Sequence, residues 1–348
     1  MAGELQTYQQ VIRHLNKQKR SRHLLLGNGF SMAYDPEIFS YNALQQFVEN
    51  IADPLLAKLF QIVRTKNFEV VMHQLSNFME LLEAFDGSEE ILKQVDQAAK
   101  VLKSSLLKAI QQLHPEHVFH LEDDQVKACA RFLAPILSSE GKVFSTNYDL
   151  LLYWVLMRGE LDSGNDGFGY ERLDDPDDYS TDEEWSELLW GPNRNDQSIH
   201  YLHGALPIFD TGTEIVKETY GRDNYLLQNI EERMQRNEYP VFVAAGDGEQ
   251  KLRQIRHNPY LSQSYDTLCE IGGSLITFGF NFGDSDEHII GAINKAASPP
   301  RDGELRDKLW SVYVGVFSDE DAAHIDSIRG KFHCKVNMFD SKSISIWS

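Results

Sequence analysis

The sequence is poor in cysteine, poor in basic side chains relative to acidic ones, and free of long apolar runs. Its three cysteines, Cys129, Cys269 and Cys334, lie far apart, which excludes a disulfide framework and a CxxC zinc knuckle. No apolar run approaches the length of a membrane-spanning helix, and residues 1–10 lack the apolar core of a signal peptide. We therefore expect a cytoplasmic protein that needs no metal.

Acidic residues outnumber basic ones by 53 to 33, which gives a net charge of -20. A surface of this sign repels polyanions, so the charge argues against direct nucleic-acid binding and against attachment to an anionic membrane. The only concentrated basic run, residues 17–22, is short and is interpreted as a solvated segment ahead of the first strand.

The order of the apolar segments predicts the fold class. The chain has 348 residues, of which 42% are apolar, so it can bury an extended core. Short apolar runs alternate with helical patterns, and this alternation is typical of an α/β fold with a mostly parallel sheet and helices on both faces. The predicted strands of that sheet are residues 24–26, 143–146, 201–203, 241–244 and 275–278.

Residues 23–31, HLLLGNGFS, combine a short apolar strand with a glycine turn. Gly27 and Gly29 allow the backbone to turn tightly and to approach a ligand closely. In α/β sheets such a turn after the first strand holds phosphate groups, here on Gly27, Asn28, Gly29, Phe30 and Ser31. The third glycine of the usual dinucleotide fingerprint is replaced by Met32, so a plain connection between strand and helix stays the alternative.

Two long segments interrupt the strand pattern of a chain that we otherwise treat as one domain, residues 1–348. Residues from about 42 to 139 show helical periodicity, for example at Phe68, Val71 and Leu75, and form a predicted helical insertion. That block is either a packing layer or a surface for self-association or a partner. Residues from about 162 to 196 are acidic and rich in turn-forming residues, and predict a surface loop.

Polar side chains follow the second predicted strand in the run 145–149, STNYD. Because ligands of open parallel sheets bind at the carboxyl ends of the strands, Thr146, Asn147 and Asp149 are candidate ligand-binding residues. The alternative is a helix cap, since asparagine and aspartate both cap helices well.

Two further segments place polar residues after strands. His203 and Gly204 end the third predicted strand. A lone histidine is more often structural than catalytic, but this position before a glycine raises the odds of a catalytic role above the usual rate. The run 278–289, FGFNFGDSDEHI, is a second combination of strand, glycine turn and helix, which contributes Gly279, Asn281, Asp284 and Asp286. For the two aspartates, a capping role is again the alternative.

Taken in order, GNGFS, STNYD, HG and FGFNFGDSDEHI resemble the motifs of the sirtuin-like family, and in particular the zinc-free bacterial sirtuin-like proteins associated with anti-phage defence. Several of those proteins degrade NAD. The resemblance extends over most of the chain and implies a Rossmann-like, mostly parallel sheet of sirtuin type with an inserted helical block. Asn28 replaces an alanine of the family pattern and Thr146 a glutamine, whereas Asn147, Asp149, His203 and Gly204 match it.

Two departures argue against protein deacylation. The paired zinc cysteines of the deacylases are absent, and the helical insertion and acidic segment occupy the regions where those enzymes build their peptide cleft.

The resemblance implies cleavage of the bond between nicotinamide and ribose of NAD, which is the substrate. Asn147 would orient a water or the ribose hydroxyls, Asp149 would accept a hydrogen bond from the nicotinamide carboxamide, and His203 would be the general base. Ser31 and the backbone amides of residues 27–30 would bind phosphate and ribose. Gly279, Asn281, Asp284 and Asp286 would line the adenosine end, and Phe30 either covers the nicotinamide ring or belongs to the core.

Three functions remain open at this point: an NAD glycohydrolase, a non-catalytic module that senses NAD or ADP-ribose, and, ranked last, a zinc-free deacylase. Because unrestrained NAD loss would poison the host cell, we expect gating by a partner protein or by homo-oligomer assembly.

Overall fold

The computed structural model describes residues 5–36, 54–63, 68–85, 87–115, 117–159, 161, 163–170, 188–219, 225–236, 238–243, 247–299 and 307–348. The strands within these ranges are β1 (Gln6–Thr7), β2 (Arg22–Leu26), β3 (Val143–Ser145), β4 (Phe168–Gly169), β5 (Leu188–Trp190), β6 (Ile199–Tyr201), β7 (Gly204–Asp210), β8 (Ile215–Lys217), β9 (Pro240–Phe242), β10 (Gly273–Phe278), β11 (Leu309–Val316) and β12 (Lys335–Asp340). The α-helices are α1 (Tyr8–Gln18), α2 (Asn28–Met32), α3 (Pro54–Val63), α4 (Phe68–Ala84), α5 (Glu89–Leu113), α6 (Asp123–Leu137), α7 (Leu151–Arg158), α8 (Leu226–Gln235), α9 (Gly248–His257), α10 (Pro259–Glu270), α11 (Glu287–Ala297) and α12 (Asp319–Ile328).

The main sheet has seven strands in the order β1-β12-β11-β10-β2-β3-β6, and every neighbouring pair is parallel. The predicted α/β class with a mostly parallel sheet is therefore confirmed. Starting from β2, the chain adds β3 and β6 on one side, then β10, β11 and β12 on the other, which is the strand order of doubly wound dinucleotide-binding sheets. The order reverses between β2 and β10, and the ligand crevice of such sheets lies there, at the carboxyl ends of the strands.

The two central strands are buried along their whole lengths. All residues of β2 and of β10 are buried, as expected for strands covered on both faces. Continuous apolar runs such as Leu24–Leu26 are the sequence signature of this position, which explains why both strands could be predicted.

A second sheet of five strands, in the order β4-β5-β8-β7-β9, is antiparallel and was not predicted. The expectation that residues 241–244 form a strand of the parallel sheet is wrong, because β9 pairs with β7 instead. Gly204 adopts a φ of +81°, and at this residue β7 begins, directly after the loop that follows β6. β7 was not predicted because it contains Pro207, and a proline within an apolar run argues against a strand.

The segment from about 162 to 196 is not a continuous loop. β4 and β5 lie within it and pair with each other, so the loop prediction is wrong at those residues. Residues 162 and 171–187 of this segment lie outside the described part of the chain.

Within the described ranges, helices α3 to α6 follow the short helix α2 and precede β3, where the helical insertion was predicted. Residues 42–53, 64–67, 86 and 116 of that insertion lie outside the described residues. In the described ranges, no helix combines the length and the apolar character needed to cross a membrane.

The turns after β2 and β10 are in direct backbone contact at the centre of the sheet. The amide of Gly27 donates to the carbonyl of Phe278 at 3.0 Å, and the amide of Gly29 donates to the carbonyl of Gly279 at 2.9 Å. Gly279 adopts a φ of +65°, and a Cβ at this residue would lie 2.5 Å from the Cα of Gly29. Only glycine allows the two turns to approach this closely.

We predict that Gly279→Ala lowers the free energy of unfolding by about 3 kcal/mol, because the new Cβ meets backbone atoms that cannot rotate away. Urea denaturation followed by circular dichroism measures the loss. Gly212→Ala is the matched control, since Gly212 also has a positive φ, +85°, but no atom lies within 4 Å of the place that its new Cβ would take.

Gly212→Ala should lower the free energy of unfolding by only about 1 kcal/mol, which is the cost of placing a residue with a Cβ at a positive φ. Equal losses in the two variants would contradict the close approach of the two turns.

Candidate functional site

A chain of hydrogen bonds joins the turn after β2 to the residues that follow β3. The side-chain Nδ2 of Asn147 donates to the carbonyl of Gly27 at 3.0 Å and to Oγ of Ser31 at 2.8 Å. The hydroxyl of Ser31 in turn donates to Oδ2 of Asp149 at 2.5 Å. Three residues that the sequence placed in two separate motifs therefore form one network at the strand ends.

The orientation of the Asn147 amide follows from its partners. The carbonyl of Gly27 can only accept, so the atom of Asn147 that faces it must be the NH2 group. Both protons of that group are used, and Oδ1 is the acceptor that the amide offers. Asn147 is half-buried, which leaves its side chain within reach of a ligand at the sheet edge.

Asp149 lies beneath this network and also begins α7. It is only 3% exposed, and its Oδ1 accepts from the amide of Leu151 at 2.9 Å, as a capping residue does. Burial raises the pKa of Asp149 to about 6, although the hydrogen bonds from Ser31 and Leu151 oppose the rise. Because both oxygens contact the protein, Asp149 is placed to position Ser31 rather than to contact nicotinamide, and the role predicted for it is corrected accordingly.

His114, which follows α5, fixes the other residue at the start of α7. Its Nε2 accepts from the amide of Leu150 at 2.9 Å, and its Nδ1 donates to the carbonyl of Pro115 at 2.8 Å. Burial lowers the pKa of His114 to about 4, so the ring stays neutral and keeps this tautomer. The helical insertion thereby contacts the backbone next to Asp149.

His203 pairs with a second histidine. Its Nε2 lies 2.8 Å from Nε2 of His288, at the start of α11, and both rings are buried. Burial lowers the pKa of His203 well below the usual value, and it lowers the pKa of His288 to about 3. Both rings are neutral at pH 7, so one Nε2–H donates to the other Nε2. In the tautomer in which His203 is the donor, its Nδ1 is unprotonated and is the nitrogen that remains for a substrate.

Asn147 and His203 follow the ends of two neighbouring parallel strands, β3 and β6. Ser145 and Tyr201 are the last paired residues of β3 and β6, and each candidate lies two residues beyond its strand. The amide of Leu202 still donates to the carbonyl of Ser145 at 2.8 Å, so the two chains stay adjacent there. The predicted strand at residues 201–203 actually ends at Tyr201.

The remaining predicted residues divide into two groups. Asn28, Gly29 and Gly279 are partly exposed beyond the carboxyl ends of the central strands. Thr146 follows the neighbouring strand, and its hydroxyl donates to the carbonyl of Leu26 at 3.3 Å. At the predicted adenosine end, Asn281 and Asp284 are exposed, as a ligand-binding role requires.

Asp286 in this second group is already paired. It accepts from Nζ of Lys251 at 3.0 Å, and this lysine also bonds to Ser285 and is buried. The ion pair fixes the segment that leads into α11, next to His288.

Of the two roles left open for Phe30, the structure supports the core role, because its side chain is buried against Trp347, whose indole nitrogen donates to the carbonyl of Phe30 at 2.9 Å. The predicted binding of phosphate by the backbone amides of this turn is not supported. The amides of Gly27, Gly29 and Phe30 already donate to protein carbonyls, so phosphate could bind them only if those bonds broke.

Sequence reasoning missed His288, Lys251, His114 and Trp347. His288 lies inside the FGFNFGDSDEHI motif, directly after the helix cap, and this position was its only signal. The other three residues lie far from any motif, and their contacts depend on the fold. In the described ranges, no three histidine, cysteine, aspartate or glutamate side chains converge as metal ligands would.

A protein-family model described as a domain of unknown function, DUF4917, matches residues 24–347, which include every candidate site residue. No curated protein matches the chain.

The burial of Asp149 makes the free energy of unfolding depend on pH. Its pKa is raised from 3.8 to about 6 in the folded state, so the folded state binds the proton more tightly than the unfolded chain. This stabilisation is fully present below pH 3.8 and is lost as the pH rises through about 6.

We predict that Asp149→Asn, which cannot titrate, abolishes this loss, so that wild type becomes less stable relative to the variant between pH 4 and pH 7, the window set by the raised pKa. Urea denaturation at several pH values measures the difference. Asp124→Asn removes an exposed carboxylate and is the control. If the difference in unfolding free energy between wild type and Asp149→Asn stayed the same at every pH, the raised pKa of the buried Asp149 carboxyl would be contradicted.

Proposed function

We propose that this chain, which belongs to the DUF4917 family, is an NAD glycohydrolase that cleaves NAD to nicotinamide and ADP-ribose. Its support is the resemblance to zinc-free sirtuin-like proteins, the strand order, and the polar network at the carboxyl ends of β2 and β3, next to the point where the strand order reverses. A glycohydrolase must hold the ribose, stabilise an oxocarbenium-like centre and direct a water to it.

The oriented amide of Asn147 is the observation that carries the proposal. Two hydrogen bonds fix its Nδ2, so its Oδ1 is held at the edge between β2 and β3 as an acceptor for a water or a ribose hydroxyl. A preorganised acceptor of this kind needs no reorganisation when positive charge develops on the ribose. Helix capping does not explain this amide, since its Nδ2 bonds to Gly27 and Ser31, and the amide of Leu151 at the start of α7 donates to Asp149.

Ser31 and Asp149 then act through Asn147. The carboxylate of Asp149 accepts the Ser31 proton, which leaves the lone pairs of Oγ for the Asn147 amide. The network has a single direction of donation, from Asn147 to Ser31 to Asp149.

His203 is the proposed base. Because burial lowers its pKa, the ring is already neutral at physiological pH and can accept a proton through Nδ1, while His288 holds Nε2. A low pKa also makes a weak base, so in this proposal His203 contributes less to the rate than the positioning of water by Asn147.

A non-catalytic NAD or ADP-ribose sensor is the second candidate. The complete burial of His203 and its bond to His288 favour it, because a structural histidine pair has the same appearance. A sensor would need the glycine turns but not the Asn147 side chain.

We further propose that a partner or homo-oligomer assembly gates the activity and that the setting is anti-phage defence through NAD depletion, as the resemblance implies. The contact of His114 with Leu150 offers a route for gating. A shift of α5 would release the start of α7 and with it Asp149.

We predict that Asn147→Ala lowers NAD turnover about 100-fold, the usual scale for loss of a positioning group, with NAD binding largely retained. His203→Asn should lower turnover by at least about tenfold, because the weak base contributes less. Released nicotinamide, separated by chromatography, measures turnover, and calorimetry with NAD measures binding.

His23→Asn is the matched control for buried imidazole. His23 is as buried as His203, but it lies at the start of β2 and bonds to the amide of Lys142. It should lose stability without losing turnover per folded molecule. Turnover of the wild-type level in folded Asn147→Ala would end the glycohydrolase proposal and leave the sensor.

We also predict that a chelator such as EDTA leaves both folding and NAD cleavage unchanged, since the proposed chemistry uses an amide and an imidazole. Thermal melts and nicotinamide release in the presence and absence of chelator test this. Activity that disappears with EDTA and returns with added zinc would contradict it.

A further inference from the structure

A cavity of about 360 Å³ opens at the opposite edge of the main sheet, where β11 and β12 begin. Its lining includes His14 from α1, Arg20 from the loop before β2, Trp310 and Tyr313 from β11, and Lys335 from β12. The volume lies in the range of small-molecule sites. The candidate site for NAD lies at the carboxyl ends of the strands, so the two places are separate.

Trp310 is held in this cavity by an irregularity of the sheet. Gly273 pairs with Leu309, but the next residue of β10, Ser274, pairs with Ser311. Trp310 is therefore the extra residue of a β-bulge, and bulges redirect side chains next to functional sites. The indole is 48% exposed although it lies on a strand of the central sheet.

Cations surround the exposed indole. Nζ of Lys308 lies 4.1 Å from its ring centre and the guanidinium carbon of Arg20 lies 5.7 Å from it. Lys335 adds a further positive charge to the cavity. Across the described ranges, none of these three cations has a carboxylate within 4.0 Å, in a chain whose net charge is -20.

We propose that this cavity binds a nucleoside monophosphate, with the base stacked on Trp310 and the phosphate held by Arg20 and Lys335. An aromatic platform recognises the face of a base, and guanidinium and ammonium groups recognise phosphate. The cations that now rest on the indole are free to turn toward a phosphate, because no carboxylate in the described residues competes for them.

A polynucleotide fits the surroundings less well than a mononucleotide. Single-stranded nucleic acid is usually bound by several aromatic side chains along a basic groove. Among the residues that line this cavity, Trp310 is the one indole, and the negative charge of the whole protein opposes a longer polyanion.

Isothermal titration calorimetry of the full-length protein with AMP, GMP, CMP and UMP tests the proposal. At least one should bind, and Trp310→Leu and Lys335→Gln should each weaken that binding about tenfold, since each removes one half of the recognition. Both side chains are exposed, so both variants should fold, and circular dichroism checks this. Lys127→Gln removes an exposed lysine on α6 and is the matched control.

Binding of the nucleoside alone and of phosphate alone tests whether the cavity recognises both parts of the nucleotide. The matching nucleoside, which lacks phosphate, and inorganic phosphate alone should each bind more weakly than the nucleotide. Because AMP could also occupy the adenosine end of the NAD site, the two cavity variants assign the binding: AMP binding that falls in both Trp310→Leu and Lys335→Gln belongs to this cavity, and AMP binding that neither variant changes belongs to the NAD site.

Several results would overturn the proposal. These are no binding of any monophosphate at millimolar concentration, equal binding by wild type and both variants, or equal binding of the nucleoside alone. Tighter binding of a single-stranded oligonucleotide through Trp310 would also overturn it and would assign the cavity to nucleic acid. None of these outcomes bears on NAD cleavage, which Asn147→Ala tests separately.

Discussion

The contact between Gly279 and the turn that contains Gly27 and Gly29 fixes the centre of this structure. The strand order reverses between β2 and β10, and at that point the two turns are close enough for paired backbone hydrogen bonds. The position of α2 follows from this contact, and α2 carries Ser31. A side chain on any of the three glycines would separate the turns and move Ser31 away from Asn147 and Asp149.

Burial sets the chemistry that this arrangement can perform. Ser31, Asp149, His203 and His288 are all removed from water, and each polar atom that bonds at the site does so to another protein group. Low dielectric strengthens such bonds and opposes charge, which raises the pKa of the carboxyl and lowers that of both imidazoles. The site therefore offers fixed dipoles, neutral imidazole rings and one buried carboxylate that is tied up in hydrogen bonds, which suits the stabilisation of a positive centre by orientation.

The sequence predicted what depends on local pattern and missed what depends on tertiary contact. β2, β3 and β10 are continuous apolar runs followed by glycine or polar residues, so both the strands and the positions of Ser31, Asn147 and His203 could be inferred. The second sheet could not, because β7 contains Pro207 and was not predicted, and the strand at β9, which was predicted, pairs with β7 rather than with the parallel sheet. His288 and His114 reach the site from distant segments, and no spacing rule connects them to Asn147 or His203.

The structure also shows which of two polar residues, Asn147 or Asp149, serves the start of α7. Asn147 and Asp149 are both good capping residues two positions apart, and the sequence alone cannot say which one caps the helix. In the fold Leu150 is the N-cap residue, and of the two candidates only Asp149 serves the helix start, since its Oδ1 accepts from the amide of Leu151. The side chain of Asn147 bonds instead to the carbonyl of Gly27 and to Ser31. The amide of Asn147 is therefore held by two bonds at the carboxyl ends of β2 and β3 without serving the helix, and its Oδ1 is the acceptor that remains for a ligand in the function that we propose.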